Sequence, residues 1–368
     1  MPDPIARVEP FHLAIPSVYG GPPPERGAQW AKIELALIRV ETRAGLVGWG
    51  EAFGHQVCGT TCAAVRTLIA PAAVGLDSDD IANVSARLRR LLHAYGLDGP
   101  IGFGLSGLDI ALWDIRGRRE GLPVHRLLNP ESVGGSVTAY ASLLRYGDPE
   151  MAGRAAADAA RRGHRAVKLH EATVAAVAAA RQAAGPDVRL ALDVNCRWSV
   201  GEAIAAARHL EPLALDWVEE PCWPATAEAL AAVVAASSIP VAAGENAGSL
   251  ENLERIATAG GIAYLQPSAA KLGGLSALLA ARVIAARVDV RLAPHSAYFG
   301  SGLAATLHFC AAFGVDCEWY DCRLEQSPSG LQPAGGRLTV PDIPGLGIAI
   351  PRDLIDRYEV TRGTAFDS

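Results

Sequence analysis

Two rhythms of apolar and polar positions divide the chain. Over residues 30–53 the two kinds partly alternate on either side of Thr42-Arg43-Ala44-Gly45. Period-two alternation broken by a glycine-containing turn predicts an antiparallel hairpin. Helical spacing follows near 60–71, 79–95 and 105–121, so residues 1–130 read as an α+β module. From residue 136 short apolar runs alternate with Ala-rich stretches of helical period. The runs cover 137–143, 166–170, 189–194, 214–219, 240–244, 262–266, 289–294 and 316–320. The helical stretches cover 149–163, 173–184, 200–210, 226–236, 249–259, 274–286 and 300–313. Strands alternating with helices imply parallel pairing through βαβ crossovers. Eight such units within about 200 residues predict a closed (β/α)8 barrel over 131–322 rather than an open doubly wound sheet. The Pro- and Gly-rich segment 323–368 is expected to return to the N-terminal module and complete it.

An open sheet would need a dinucleotide fingerprint, and Gly102-Phe103-Gly104-Leu105-Ser106-Gly107 spells one. It follows a turn, Leu97-Asp98-Gly99-Pro100, rather than a buried strand, so it reads as a glycine-rich helix entry. Composition narrows the class further. Half of the 368 residues are hydrophobic and 20% are charged, enough for a large core. Lys plus Arg number 33 against 39 Asp plus Glu, a net −6 that speaks against a nucleic-acid or anionic-membrane surface. No run of 18 uncharged apolar residues predicts a membrane span, and Met1-Pro2-Asp3-Pro4 opens no secretory signal. Seven cysteines with no C-x-x-C pair fit reduced thiols, and the expected location is the cytoplasm.

In a (β/α)8 barrel the reactive groups stand at the C-terminal ends of the strands. Three successive strand candidates end in Asp193, Glu219 and Glu245, each 26 residues after the last. Equal spacing of one unit predicts three carboxylates at one height on neighbouring strands. Carboxylates that close repel unless a cation lies among them. A hard divalent ion with oxygen ligands answers this, and Mg2+ takes carboxylates together with water and substrate oxygens. Lys168 and His170 lie two apart on the second strand and share a face. A lysine there can hold a substrate carboxylate, and the histidine can move a proton. His295 ends the seventh strand, across the barrel. A cation and a lysine facing one carboxylate stabilise the enediolate left when the α-proton departs.

Several motifs now converge: Lys168-Leu169-His170, Leu192-Asp193-Val194-Asn195, Trp217-Val218-Glu219-Glu220-Pro221, Gly244-Glu245-Asn246, Gln266-Pro267-Ser268 with Lys271-Leu272-Gly273-Gly274, and Pro294-His295. With the helix Gly107–Gly117, they resemble the enolase superfamily in its mandelate racemase and muconate lactonizing enzyme branch. The resemblance spans nearly the whole chain. It implies one Mg2+ held by Asp193, Glu219 and Glu245, and catalysis by Lys168, His170 and His295. It further implies substrate contacts from Asn195, Glu318, His55 and Tyr19, with Ser268, Lys271 and Glu220 behind them, the first module capping the site, and a homo-oligomer. Two departures bear on the reaction. His170 stands where the family often has a second lysine, and a histidine needs less desolvation to act as a base. Ser268 stands where the racemase pattern has an Asp behind the seventh-strand histidine, and a serine supplies no charge to stabilise imidazolium. The second fits one-base dehydration of a sugar acid to a 2-keto-3-deoxy acid, with His295 as the acid. Racemisation, epimerisation and lactone cycloisomerisation share the same first step. A non-catalytic sugar-acid or metal binder and an unrelated barrel hydrolase are the rivals from other classes.

Overall fold

A computed structural model describes residues 2–18 and 31–360. Three strands open the chain: β1 (Ile5–Val18), β2 (Lys32–Thr42) and β3 (Val47–Ala52). β2 and β3 form the expected hairpin, with Glu41 opposite Val47 and Gly45 at φ 86° in the turn. β1 pairs antiparallel with β2 along its length. The sequence reading missed it because Pro10 and Pro16 interrupt its alternation. Both are tolerated because, among the described residues, the outer edge of β1 pairs only at Ser17 and Val18 and through a single bridge from Leu13 to Glu359, and a proline costs little where no ladder bond is needed.

The helix Pro100–Glu120 packs across this sheet and is buried over most of its length. It contains the whole G-x-G-x-x-G run, as the helix-entry reading expected. Its glycines are there for close approach. A Cβ on Gly107 would lie 2.7 Å from Ile38 Cγ1 and 3.1 Å from the Ala52 nitrogen. One on Gly104 would lie 2.6 Å from Ile69 Cδ1. The same helix sends Asp109 to the backbone nitrogen of Ser276, 3.1 Å away, at the start of a barrel helix. It also sends Asp114 to the nitrogens of Trp49 and Leu346, at 3.0 and 2.8 Å.

Eight parallel strands follow in sequence order: β4 (Ser136–Ser142), β5 (Ala166–Leu169), β6 (Arg189–Asp193), β7 (Val218–Glu219), β8 (Val241–Ala243), β9 (Tyr264–Leu265), β10 (Arg291–Leu292) and β11 (Cys317–Tyr320). From β4 to β10 each pairs with the next, and β11 pairs with β4, so the sheet curls into the (β/α)8 form. No ladder joins β10 to β11. Seven helices of ten residues or more, from Pro149–Arg161 to Ser301–Phe313, lie between the strands within two residues of their expected bounds. The chain then touches both bodies. β12 (Arg323–Leu324) pairs with β1. β13 (Arg337–Thr339) pairs with β4. The helix Arg352–Tyr358 packs against β1, and Val360 donates its N–H to the His12 carbonyl.

Tyr140, Ala166, Ala191, Trp217, Ala242, Tyr264 and Ala293 pack together as one buried layer inside the barrel. Successive same-face residues on a strand are two apart. The next lumen layer toward the C-terminal mouth therefore holds Ser142, Lys168, Asp193, Glu219, Gln266 and His295. The seven cysteines form no disulfide. Among the described residues no helix is long and apolar enough to cross a membrane. Gly107→Val should lower stability by roughly 1–3 kcal/mol through overpacking. Urea denaturation should show this as a lower midpoint with unchanged slope.

Candidate active site

The second lumen layer is a set of buried charges. Lys168 is fully buried, and its ammonium lies 2.8 Å from Glu219 Oε1, 2.8 Å from Glu318 Oε1 and 3.6 Å from Asp193 Oδ2. It stands among the carboxylates rather than open to the mouth. His170 Nδ1 is 2.5 Å from the Leu143 carbonyl, which orients the ring and turns Nε2 toward Asp193 Oδ2 at 3.3 Å. Asp193 also accepts from the backbone and side-chain nitrogens of Asn195, at 2.8 and 3.0 Å. The Trp217 indole donates to Glu219 Oε2 at 3.1 Å from the layer below. On the far side, His295 Nδ1 lies 3.2 Å from both Glu245 Oε2 and Glu318 Oε2. Contacts therefore run unbroken from His170 through Asp193, Lys168 and Glu318 to His295.

Equal spacing does not give equal height. Asp193 pairs in register with Glu219, but Glu219 pairs with Ala242, three residues before Glu245. Glu245 lies past the end of β8, after Gly244 at φ 126°. That left-handed step, which favours glycine, lets the chain turn Glu245 toward its neighbours. Glu219, Glu245 and His295 offer ligand atoms within 4.8 Å of one another. Asp193 joins them through Lys168 rather than within that group.

The remaining expected residues take several places. Lys271 binds Glu245 Oε1 at 2.6 Å and Asn246 Oδ1 at 2.9 Å, with its ammonium 4.3 Å from the centre of the Phe53 ring. Glu220 accepts from the Asn246 amide at 2.8 and 3.0 Å, behind the lumen. Ser268 does not serve the imidazole of His295 by its side chain. Its hydroxyl is 2.5 Å from the Tyr298 hydroxyl, while its backbone bridges that of His295. The charge expected of an Asp at Ser268 comes instead from Glu245 and Glu318. His55 of the N-terminal module stacks near Phe53, and burial followed by the charges of Lys271 and His295 lowers its pKa to about 4. Tyr19 lies outside the described residues.

Two residues of this region escaped the sequence reading. Arg145 reaches from the end of β4 to the His170 carbonyl at 2.6 Å and to Asn195 Oδ1 at 3.3 Å. Glu51 of β3 is buried and accepts backbone N–H groups from Gly300 and Gly302, both at 2.9 Å. The only signal for Arg145 was its place just past a strand end. Glu51 carried none, since a polar residue in a hairpin reads as solvent-facing.

Five buried carboxylates (Asp193, Glu219, Glu220, Glu245 and Glu318) share two buried ammonium groups, Lys168 and Lys271. Burial, with the charges of Asp193, Glu318 and Glu245, pushes Glu219 up to about 7 against the pull of Lys168. Burial and the charges of Glu245 and Asp193 push Glu220 up to about 8. Asp193 and Glu318 are held below the usual carboxylate range despite burial, chiefly by Lys168. Burial alone would lower His170, but the hydrogen bond and charge of Asp193 raise it. The surplus of anionic oxygen suits a hard divalent cation better than a soft one. The donor set thus fits such an ion.

Residues 150–354 match the model of the enolase C-terminal domain-like family, and residues 27–129 match the mandelate racemase/muconate lactonizing enzyme N-terminal domain. D-galactarolactone cycloisomerase of Agrobacterium fabrum is 33% identical, covering 88% of this chain and 91% of that protein. D-galactonate dehydratase of Ralstonia nicotianae is 32% identical, over 87% and 89%. A mandelate racemase/muconate lactonizing protein from Paracoccus denitrificans, solved in complex with magnesium, superposes with a TM-score of 0.85 at 27% identity, covering 98% of this chain and all of that one. With these matches over both the N-terminal sheet and the barrel, the chain belongs to the mandelate racemase/muconate lactonizing enzyme family of the enolase superfamily and is an enzyme of the lyase or isomerase type.

Proposed function

We propose that this protein is a Mg2+-dependent sugar-acid dehydratase that removes the α-proton of a carboxylate substrate and expels the β-hydroxyl, giving a 2-keto-3-deoxy acid. The observation that carries the reading is the chain of contacts with an imidazole at each end and Lys168 in the middle. Asp193, Glu219 and Glu245 would hold the Mg2+, which supplies positive charge at the substrate carboxylate. His170 is the base: its Nδ1 is committed to the Leu143 carbonyl, so Nε2 takes the α-proton. The electron pair of that C–H bond moves toward the carboxylate, where Lys168 adds positive charge. The C–O bond to the β-hydroxyl then breaks as His295 gives its proton to the leaving oxygen, and water departs. Glu245 Oε2 and Glu318 Oε2 each lie 3.2 Å from His295 Nδ1 and hold the ring from that side. The resulting enol tautomerises to the keto acid.

Asn195, Glu318, His55 and Tyr19 would face the substrate, with Ser268, Lys271 and Glu220 supporting them. Residues 1–130 would act as the cap, 131–322 as the barrel, and 323–368 as a segment returning to the cap. The pairing of β12 with β1 supports that return, although β13 goes to the barrel. Cycloisomerisation is the second reading, favoured by the similarity to D-galactarolactone cycloisomerase, and it begins with the same proton abstraction.

With a panel of aldonic and aldaric acids and Mg2+, at least one should yield a 2-keto acid. A panel with no keto product counts against dehydration, and deuterium entry at the α-carbon without keto product points to epimerisation. Lys168→Ala and His170→Asn should each lower kcat by at least about 100-fold, as loss of charge stabilisation or of a general base does. In a separate thermal-shift series, Mg2+ should raise the melting midpoint of the native protein, since an ion that binds only the folded state stabilises it. Glu219→Gln should abolish most of that shift, and an undiminished shift would remove Glu219 from the ligand set.

A further inference from the structure

We propose that Glu51 of the N-terminal module is a positioning residue for the reaction, fixing the loop that carries His295 so that delivery of its proton depends on how this module seats on the barrel. This rests on the role given to His295 above. Glu51 is only 2% exposed, and among the described residues no Lys or Arg pairs with it. Its carboxylate is spent on the barrel's backbone. Oε2 accepts the N–H groups of Gly300 and Gly302 at 2.9 Å each, and Oε1 accepts that of Phe299 at 3.4 Å. These nitrogens form the positive end of the helix Ser301–Phe313, where a carboxylate is favoured. A Cβ on either Gly300 or Gly302 would come within 3.1 Å of Oε2, so a side chain at either position would press on the carboxylate.

The clamp lies a few residues beyond His295. Tyr298 sets its ring edge-on to the imidazole, with centroids 6.1 Å apart. The Tyr298 hydroxyl is fixed by Ser268 at 2.5 Å. The Ser296 N–H donates at 2.7 Å to Glu318 Oε2, the same oxygen that stands beside His295 Nδ1. Residues 296–302 are therefore held by side-chain hydrogen bonds from Glu318 of β11, from Ser268 after β9 and from Glu51, by the Ser329 N–H on the Phe299 carbonyl, and by packing of Phe299 against Leu13, Ile15 and Leu37. Of the three side chains that hydrogen-bond the segment, Glu51 is the one from the N-terminal module. Burying a carboxylate without a cation is costly, so packing alone would be better served by an apolar residue. His170, by contrast, is oriented directly by Leu143 and Asp193, and it meets residues 296–302 only at one remove, through the Tyr320 ring beside Phe299 and through the chain of charges to Glu318.

The test separates the two histidines. Full-length Glu51→Ala, Glu51→Gln and Gly302→Ala proteins are compared with the native enzyme, using the sugar acid that the panel returns, in D2O. Deuterium entry at the α-carbon, which needs only His170, should stay within about threefold of native. Keto-acid formation, which also needs His295, should fall at least about tenfold in Glu51→Ala and Gly302→Ala. Glu51→Gln, which keeps an acceptor oxygen, should recover part of the loss. Backbone amide exchange across residues 297–303 should speed up at least about tenfold in Glu51→Ala, as expected for donors that lose their acceptor. Deuterium entry and product formation falling together would reduce Glu51 to a general stabiliser, and no change in either would remove it from the reaction. If the native protein converts no acid in the panel, the dehydratase reading fails. The amide exchange then decides alone, with unchanged protection at 297–303 overturning the clamp.

Discussion

An excess of buried negative charge at the mouth of the barrel governs the site. Asp193, Glu219, Glu245 and Glu318 converge on a volume in which Lys168 is the only ammonium that reaches three of them. Ionised carboxylates in so dry a place repel strongly unless a cation lies among them. In the protein alone, Glu219 answers by rising to about 7, which keeps part of the charge neutral. A divalent ion answers the same constraint while leaving the carboxylates ionised, and it leaves positive charge to spare for a bound anion. The same imbalance thus accounts for the buried lysine and the two histidines set against acids, and it fits the carboxylate substrate proposed above.

The fold supplies the geometry for this. Strands β4 to β10 of the curled sheet each bring a small or aromatic residue to the floor layer and, on most of them, a polar one two residues later. Alanines at 166, 191, 242 and 293 are interspersed around the barrel with Tyr140, Trp217 and Tyr264, and the aromatic rings fill the space that the alanines leave. The charged layer therefore rests on a packed base rather than over a pore. The N-terminal sheet is tied to the barrel by buried acids on backbone N–H groups: Glu51 on Gly300 and Gly302, and Asp109 on Ser276. Such contacts are specific in direction and position, which apolar packing alone is not.

Much of this was legible in the sequence because the strand ends break a simple rule. Charged residues closing an apolar run have no reason to be there unless the end of the run is a site. Lys168, Asp193, Glu219, Glu245 and His295 all carried that signal, and the structure brings them into one cluster. Their relative heights were not legible. Register depends on how neighbouring strands pair, and the short β7 and β8 place Glu245 three residues beyond the level of Glu219 despite equal spacing. Strand β1 was hidden by two prolines whose tolerance depends on a largely unpaired edge, a tertiary fact. The charge beside His295 was hidden for a similar reason: the pattern offered Ser268 on the adjacent strand, whereas the acids come from the loop after β8 and from β11. Glu51 was least legible, because its partners lie about 250 residues away and are backbone atoms that no side-chain motif records.

The most direct check is an anomalous-difference map from crystals of the protein soaked in Mn2+, which replaces Mg2+ among oxygen ligands. A single strong peak is expected, with oxygens of Asp193, Glu219 and Glu245 at about 2.0–2.3 Å from it. A map without a peak there, with Lys168 still bridging Glu219 and Glu318, would contradict the cation-centred site, as would a peak bound by other residues.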